Sequence, residues 1–134
     1  MTEGNNGKTL YSVGYVEICF FDDERKSWSG FGARPLRTSI WYPADTVVNE
    51  TLMTVGGAAG KPLFIIGNVA ENALLAPAAD CYPVVLISHG TGGSALGMGW
   101  LGIRLARLGY IAVAVNHHGN TAIEPYLAAG FACW

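Results

Sequence analysis

The chain has 134 residues, 51% of them hydrophobic and 13% charged, with a formal net charge of −2. That length suits one domain, and the apolar content excludes a disordered chain. The near-neutral balance gives no basis for binding nucleic acid or an anionic membrane surface.

In chain order, Met1 to Leu10 is a polar tail without the apolar core of a signal peptide. No apolar run approaches the roughly 20 residues that span a bilayer. The expected setting is therefore soluble and cytoplasmic. Tyr11 to Phe21 reads as a strand rich in β-branched and aromatic residues, stopped by Asp22-Asp23-Glu24. Arg25 to Arg34 is a polar loop or long hairpin turn, and Leu36 to Tyr42 is a second strand ended by Pro43. The two strands predict an antiparallel pair. Asp45 to Tyr82, with Gly56-Gly57, Gly60, Pro62 and Pro77, reads as an irregular connection of the kind used for lids and binding loops. Within it, Leu63 to Ile66 is a candidate for a short strand.

Val84 to Ser88 is a continuous apolar strand, expected to be covered on both faces. A glycine turn follows, then a helix over about Ala95 to Leu108, with Ser94 as its N-cap and Gly109 as its stop. Met98, Leu101, Leu105 and Leu108 form one apolar stripe, and Leu96, Trp100 and Ile103 lie opposite. That pattern predicts cover on both sides of the helix. Gly97, Gly99 and Gly102 each cost roughly 1 kcal/mol of helix propensity, which predicts close approach of a neighbouring backbone. Ile111 to Val115 is another buried strand, so strand, helix and strand make one βαβ unit with parallel strands. The predicted class is α/β: an antiparallel strand pair followed by a parallel strand–helix–strand unit, in one partial domain over residues 1–134.

The chemistry concentrates in Ser88-His89-Gly90-Thr91-Gly92-Gly93-Ser94. Acyl transfer develops negative charge on a carbonyl oxygen, and preorganised backbone N–H groups stabilise it. His-Gly-x-Gly-Gly turns after a buried strand build half of such an oxyanion hole. The bland alternative is a tight strand-to-helix turn. A third reading takes Gly90-Thr91-Gly92-Gly93-Ser94-Ala95 as the dinucleotide fingerprint of a non-catalytic binding module. Against it, the next strand ends in Val115-Asn116, not in the acidic residue that holds a ribose hydroxyl. Gly92-Gly93-Ser94-Ala95-Leu96 and Leu86-Ile87-Ser88-His89-Gly90 are each a partial nucleophile elbow. A helix cap for Ser94 and a strand end for Ser88 also explain those serines. His89 beside the turn reads as a structural hydrogen-bonder. His117 and His118 are adjacent, so their rings diverge, and no spaced zinc-ligand pattern is present. Neither metal nor cofactor is expected. Cys19, Cys81 and Cys133 are unpaired by spacing and read as buried thiols.

Several segments resemble the predicted dienelactone hydrolases, bacterial α/β-hydrolases related to platelet-activating-factor acetylhydrolase. They are Arg34 to Ala44, Ser88 to Ser94, Leu108 to Val115 and Asn116-His117-His118-Gly119-Asn120-Thr121. The resemblance implies a serine hydrolase of carboxylic esters or related acyl compounds, with a small-molecule ester as substrate. It implies the backbone N–H of Thr91 as an oxyanion donor. Gly90, Gly92, Gly93 and His117 would then line the substrate mouth. The family's nucleophile elbow, acidic residue and catalytic histidine match no position here, so no triad is carried over. The chain is thus expected to be an N-terminal portion, inactive alone. The edge of Val84–Ser88 is expected to be open and to favour self-association.

Overall fold

The computed structural model describes residues 10–45, 48–58, 60–77 and 81–124. Its elements are β1 (Ser12–Lys26), β2 (Ala33–Ala44), β3 (Thr51–Ala58), β4 (Lys61–Glu71), β5 (Val84–Ile87), a 3-10 turn (Leu96–Met98), α1 (Gly99–Arg107) and β6 (Ile111–Val115). The strands form one mixed sheet in the order β3-β4-β1-β2-β6-β5. The α/β class holds: one helix packs on an incomplete mixed sheet of six strands.

The antiparallel pair is present, from Ser12↔Ala44 to Asp22↔Arg34. Both strands run further than the sequence predicts. Beyond Tyr15, β1 carries mostly exposed residues, so its acidic residues stay in water and do not stop the ladder. The register breaks only between Asp22 and Lys26.

Residues 45–82 are a correction. They hold two strands, β3 and β4, paired antiparallel from Thr51↔Val69 to Ala58↔Lys61. β4 then joins the sheet in parallel through Gly14↔Ala70 and Tyr15↔Glu71. The candidate strand Leu63 to Ile66 lies inside β4, but the rest of the ribbon is hidden in the sequence because Gly56-Gly57, Gly60 and Pro62 read as loop punctuation. The apolar side chains also do not alternate in burial: Leu63, Phe64 and Ile65 are all exposed. Main-chain pairing, which needs no side-chain pattern, makes the ribbon.

β5 and β6 pair in parallel from Val84↔Ile111 to Ile87↔Ala114, and β6 joins β2 antiparallel through Trp41↔Ala112. The βαβ unit is as predicted. The helix between them covers one face only. Trp41 is fully buried in a core with Val13, Tyr15, Val69, Ile87, Ile103, Ala106, Ala112 and Ala114. The buried positions of α1 are Gly99, Gly102, Ile103 and Ala106; of the two predicted apolar stripes Ile103 is among them, and Leu96, Met98, Leu101 and Leu105 pack partly buried against the same core. The reason for the two glycines is the bulk of Trp41. A Cβ at Gly102 would collide with its indole, and one at Gly99 would collide with Ile66 and crowd the indole, so only glycine lets the helix sit this close. The partner of that close approach is a side chain, not the predicted backbone. Trp100 and Leu108 remain exposed.

The expectation that β5 is covered on both faces is also corrected. Val84 is 59% and Leu86 79% exposed, because among the described residues nothing packs on the face opposite α1. Cys19 and Cys81 are exposed, not buried: α1 covers β1 around Val13 and Tyr15, and Cys19 lies beyond that cover. Cys133 falls outside the described residues. The helix stop is as read. Gly109 takes φ +92, and the N–H groups of Gly109 and Tyr110 reach the C=O groups of Ala106 (3.0 Å) and Leu105 (3.1 Å). That is a Schellman closure, which favours glycine at its left-handed position. No helix among the described residues is long and apolar enough to cross a membrane.

Candidate functional site

The parallel strands β5 and β6 end side by side, and the segments leaving their C-terminal ends meet. In open α/β sheets this edge is where ligands bind. One segment is Ser88 to Ser94, the other Asn116 to Glu124.

The first segment closes a β-turn. The Gly93 N–H donates to the Gly90 carbonyl at 3.0 Å, with Thr91 and Gly92 in the central positions. Gly92 has φ +69, the left-handed value a type II turn requires at its third residue, hence glycine. Gly93 is small for another reason: a Cβ there would lie 3.1 Å from the Gly90 carbonyl oxygen and 3.3 Å from the His89 ring. Around Gly90 and Gly92 the space is open, so another molecule can reach the turn's backbone.

The N–H groups of this turn fall into two sets. Gly92 donates to Asn120 Oδ1 at 3.2 Å, and Gly93 closes the turn. The N–H groups of Gly90 and Thr91 have no partner among the described residues. The donor singled out by sequence, Thr91 N–H, is thus exposed on a turn whose geometry is fixed from behind.

His89 does much of that fixing. It is buried, and its Nδ1 lies 2.8 Å from the Gly90 carbonyl. Its Nε2 accepts the His117 backbone N–H at 3.0 Å. A carbonyl can only accept and a backbone N–H can only donate, so in this arrangement Nδ1 of His89 is the donor and Nε2 the acceptor. It is a structural hydrogen-bonder, as read from the sequence, and it ties the turn to the β6 segment.

Asn116 makes the second tie. Its Oδ1 accepts the Ala95 N–H at 2.8 Å, and its Nδ2 donates to the Arg37 carbonyl at 3.1 Å. The side chain where a dinucleotide site wants an acidic residue is thus spent on internal bonds. Thr121 Oγ1 lies 3.1 Å from the Gly93 carbonyl and 3.0 Å from Asn116 Oδ1, sharing one proton between them. The Ala122 N–H adds a bond to Gly93 at 2.8 Å. Ser94 Oγ accepts the Gly97 N–H at 3.1 Å and so caps the turn that leads into α1.

His117 and His118 diverge, as adjacency on extended backbone predicts. His117 Nε2 lies 2.8 Å from Ser88 Oγ, and its ring lies 4.3 Å from that of His89, tilted by 56°. Burial, then the neighbouring His89, hold the His117 pKa below the ordinary histidine value, and the backbone bond to His89 opposes this in part. His118 turns the other way. Its Nδ1 meets Glu124 at 2.7 Å, and its Nε2 accepts the Trp28 N–H at 3.1 Å. Trp28 Nε1 donates to the His118 carbonyl at 2.9 Å, and its indole lies flush over Gly119. The tip of the β1–β2 hairpin is therefore docked on the β6 segment.

Sequence reading named the turn and the segment Asn116–Thr121. It missed the hairpin tip, Glu124, and the Ser88–His117 hydrogen bond. An aromatic among Ser27, Ser29 and Gly30 was the available signal for the first. The bond between Ser88 and His117 spans 29 positions and has no local signature. A cleft of about 350 Å³ lined by Tyr15, Val16, Glu17, Glu71 and Asn72 shares none of these residues.

A family model described as platelet-activating factor acetylhydrolase, isoform II, matches residues 58–130. No curated protein matches. Among solved structures, a ferulic acid esterase from Streptomyces cinnamoneus aligns with a TM-score of 0.66 at 23% identity, over 88% of this chain. The chain spans 36% of that esterase's length, and at that identity the likeness is one of fold.

Proposed function

Because the chain belongs to the platelet-activating factor acetylhydrolase, isoform II, family, we propose that it forms the oxyanion side of a serine hydrolase. The substrates are carboxylic esters or related acyl compounds. The observation that carries this reading is the exposed Thr91 N–H, which, like that of Gly90, has no partner among the described residues, while the N–H groups of Gly92 and Gly93 are engaged.

In acyl transfer a serine attacks the ester carbonyl, and the carbonyl oxygen becomes an oxyanion. A donor already aimed at that position costs no reorganisation as the charge develops. Here the Gly90–Gly93 turn holds Thr91, and His89 and Asn120 hold the turn. The space around Gly90 and Gly92 is open for the acyl group, Gly93 keeps the turn closed, and His117 lies exposed beside them. An acyl-serine intermediate needs a nucleophile elbow and its base. The 134 residues contain no Gly-x-Ser-x-Gly, so in this proposal the elbow comes from outside them and triad turnover does not occur in these residues alone.

Thr91→Pro tests the role. Proline suits the second position of a type I or II turn and lacks the N–H, so the turn persists without its donor. In a polypeptide that carries both this turn and a Gly-x-Ser-x-Gly elbow, hydrolysis of a p-nitrophenyl ester should fall about 10²–10³-fold in kcat. An unchanged kcat rejects Thr91 as a donor.

A further inference from the structure

Ser88 and His117 come from different strands and meet at the mouth of the turn with Oγ and Nε2 2.8 Å apart. That is the contact a nucleophilic hydroxyl makes with its general base. Both residues are exposed, so an ester can reach the pair. The His117 backbone is anchored, since its N–H is bound to the buried His89. Ser88 is fixed between β5 and the turn. The unpartnered N–H groups of Gly90 and Thr91 begin two residues further on. A serine that merely ended a strand would have no need of an imidazole, and one that capped a helix would bond backbone N–H groups, as Ser94 does.

We propose that Ser88 and His117 are a nucleophile–base pair that captures acyl groups from activated esters, forming acyl-Ser88. It stands apart from the elbow serine that the proposed function requires, although it opens onto the same turn.

In the reacting tautomer His117 carries its proton on Nδ1 and leaves Nε2 free. The Ser88 hydroxyl gives its proton to Nε2 as the Oγ–C bond to the ester carbonyl forms. The tetrahedral centre then collapses. The bond to the leaving oxygen breaks, and the alkoxide or phenolate departs with the electron pair. The imidazolium returns its proton to the leaving group or to solvent. Acyl-Ser88 remains, and no oxidant, reductant or metal is needed. Partial desolvation, then the neighbouring His89, hold the His117 pKa below the ordinary histidine value, so the base is present at neutral pH. Among the described residues His117 Nδ1 has no carboxylate to orient it. Water attack on the acyl group is therefore slow, and the expected behaviour is a single acylation without sustained turnover.

The test uses the 134-residue chain and p-nitrophenyl acetate. The expected result is a burst of about one equivalent of p-nitrophenolate, with one acetyl group on the peptide containing Ser88. Ser88→Ala abolishes it, and His117→Gln slows it at least about 100-fold, the usual worth of a general base. Ser88→Cys is the second variant. Its alkylation by iodoacetamide should persist to lower pH than that of a free thiol, and His117→Gln should remove that advantage. No burst from the unaltered chain, an acetyl group on Ser94 or another residue, or equal rates with and without His117 would each overturn the pair. None of those results touches the Thr91→Pro comparison, which is read in an elbow-bearing polypeptide, so the two proposals fail separately.

Discussion

Asn116 Oδ1 accepts the backbone N–H of Ala95 at 2.8 Å, tying the end of β6 to the entry of α1. The same side chain reaches the Arg37 carbonyl on β2, so one buried amide joins three elements behind the turn. Asn116→Ala leaves the buried Ala95 N–H without its acceptor, while the Arg37 carbonyl keeps the backbone N–H of residue 116, and a lost buried partner costs about 1–3 kcal/mol. The expected outcome is a lower urea midpoint by that amount with an unchanged slope. Stability equal to the parent would show that water replaces the amide.

The contact between Gly102 and Trp41 leads to a second prediction. Alanine at an ordinary helix position gains up to about 1 kcal/mol over glycine. At Gly102 the new Cβ collides with the indole rim, and overpacking a filled core costs about 1–3 kcal/mol. Overpacking wins, so Gly102→Ala lowers stability, and Gly99→Ala, which meets Ile66 and Trp41, does the same. Thermal unfolding measures both. A raised Tm for either would mean that α1 slides off Trp41 at little cost.

What the sequence made legible follows the range of each signal. The β1–β2 pair, the βαβ unit and the Gly109 stop are written in neighbouring residues: apolar runs, a proline, a glycine after a helix. β3 and most of β4 were not, beyond the short candidate strand Leu63 to Ile66, because a ribbon with Leu63, Phe64 and Ile65 all exposed lacks the alternation that marks a half-buried strand. The buried face of α1 was misjudged for a related reason. Periodicity counts large apolar residues, whereas the positions closest to Trp41 are Gly99 and Gly102. At the site, the turn was legible from Gly90 to Gly93, but its supports were not. His89 to His117, Gly92 to Asn120 and Trp28 to His118 span loops that only the tertiary fold closes.

His117 makes stability depend on pH. Its folded-state pKa is lowered by burial first and by His89 second, so below the ordinary histidine value of about 6.5 the unfolded chain binds the proton more readily than the native one. This stability term is complete above that value and is lost as pH falls through the lowered pKa. Over that window the parent should lose more Tm than His117→Gln, which cannot titrate. Groups common to both proteins cancel in the difference. Parallel curves for the two would remove His117 as the source.

The outer edge of β5 is the last place where the fold makes a measurable demand. β5 is the final strand of the sheet order, and among the described residues its outer main-chain groups have no strand partner. Val84 and Leu86 stand exposed on the face opposite α1. An open apolar edge is a template for pairing with another chain. The 134-residue chain is therefore expected to self-associate, and the contact should weaken when a charge is placed on it. Leu86→Lys removes about 1.5–3 kcal/mol of burial per side chain, roughly one to two decades in association constant. It leaves the core side of β5, Val85 and Ile87, unaltered. Sedimentation velocity over a concentration series should show the parent moving to larger species while Leu86→Lys stays monomeric. A parent that is monomeric throughout the series, or a variant that associates as strongly, would place any self-contact elsewhere.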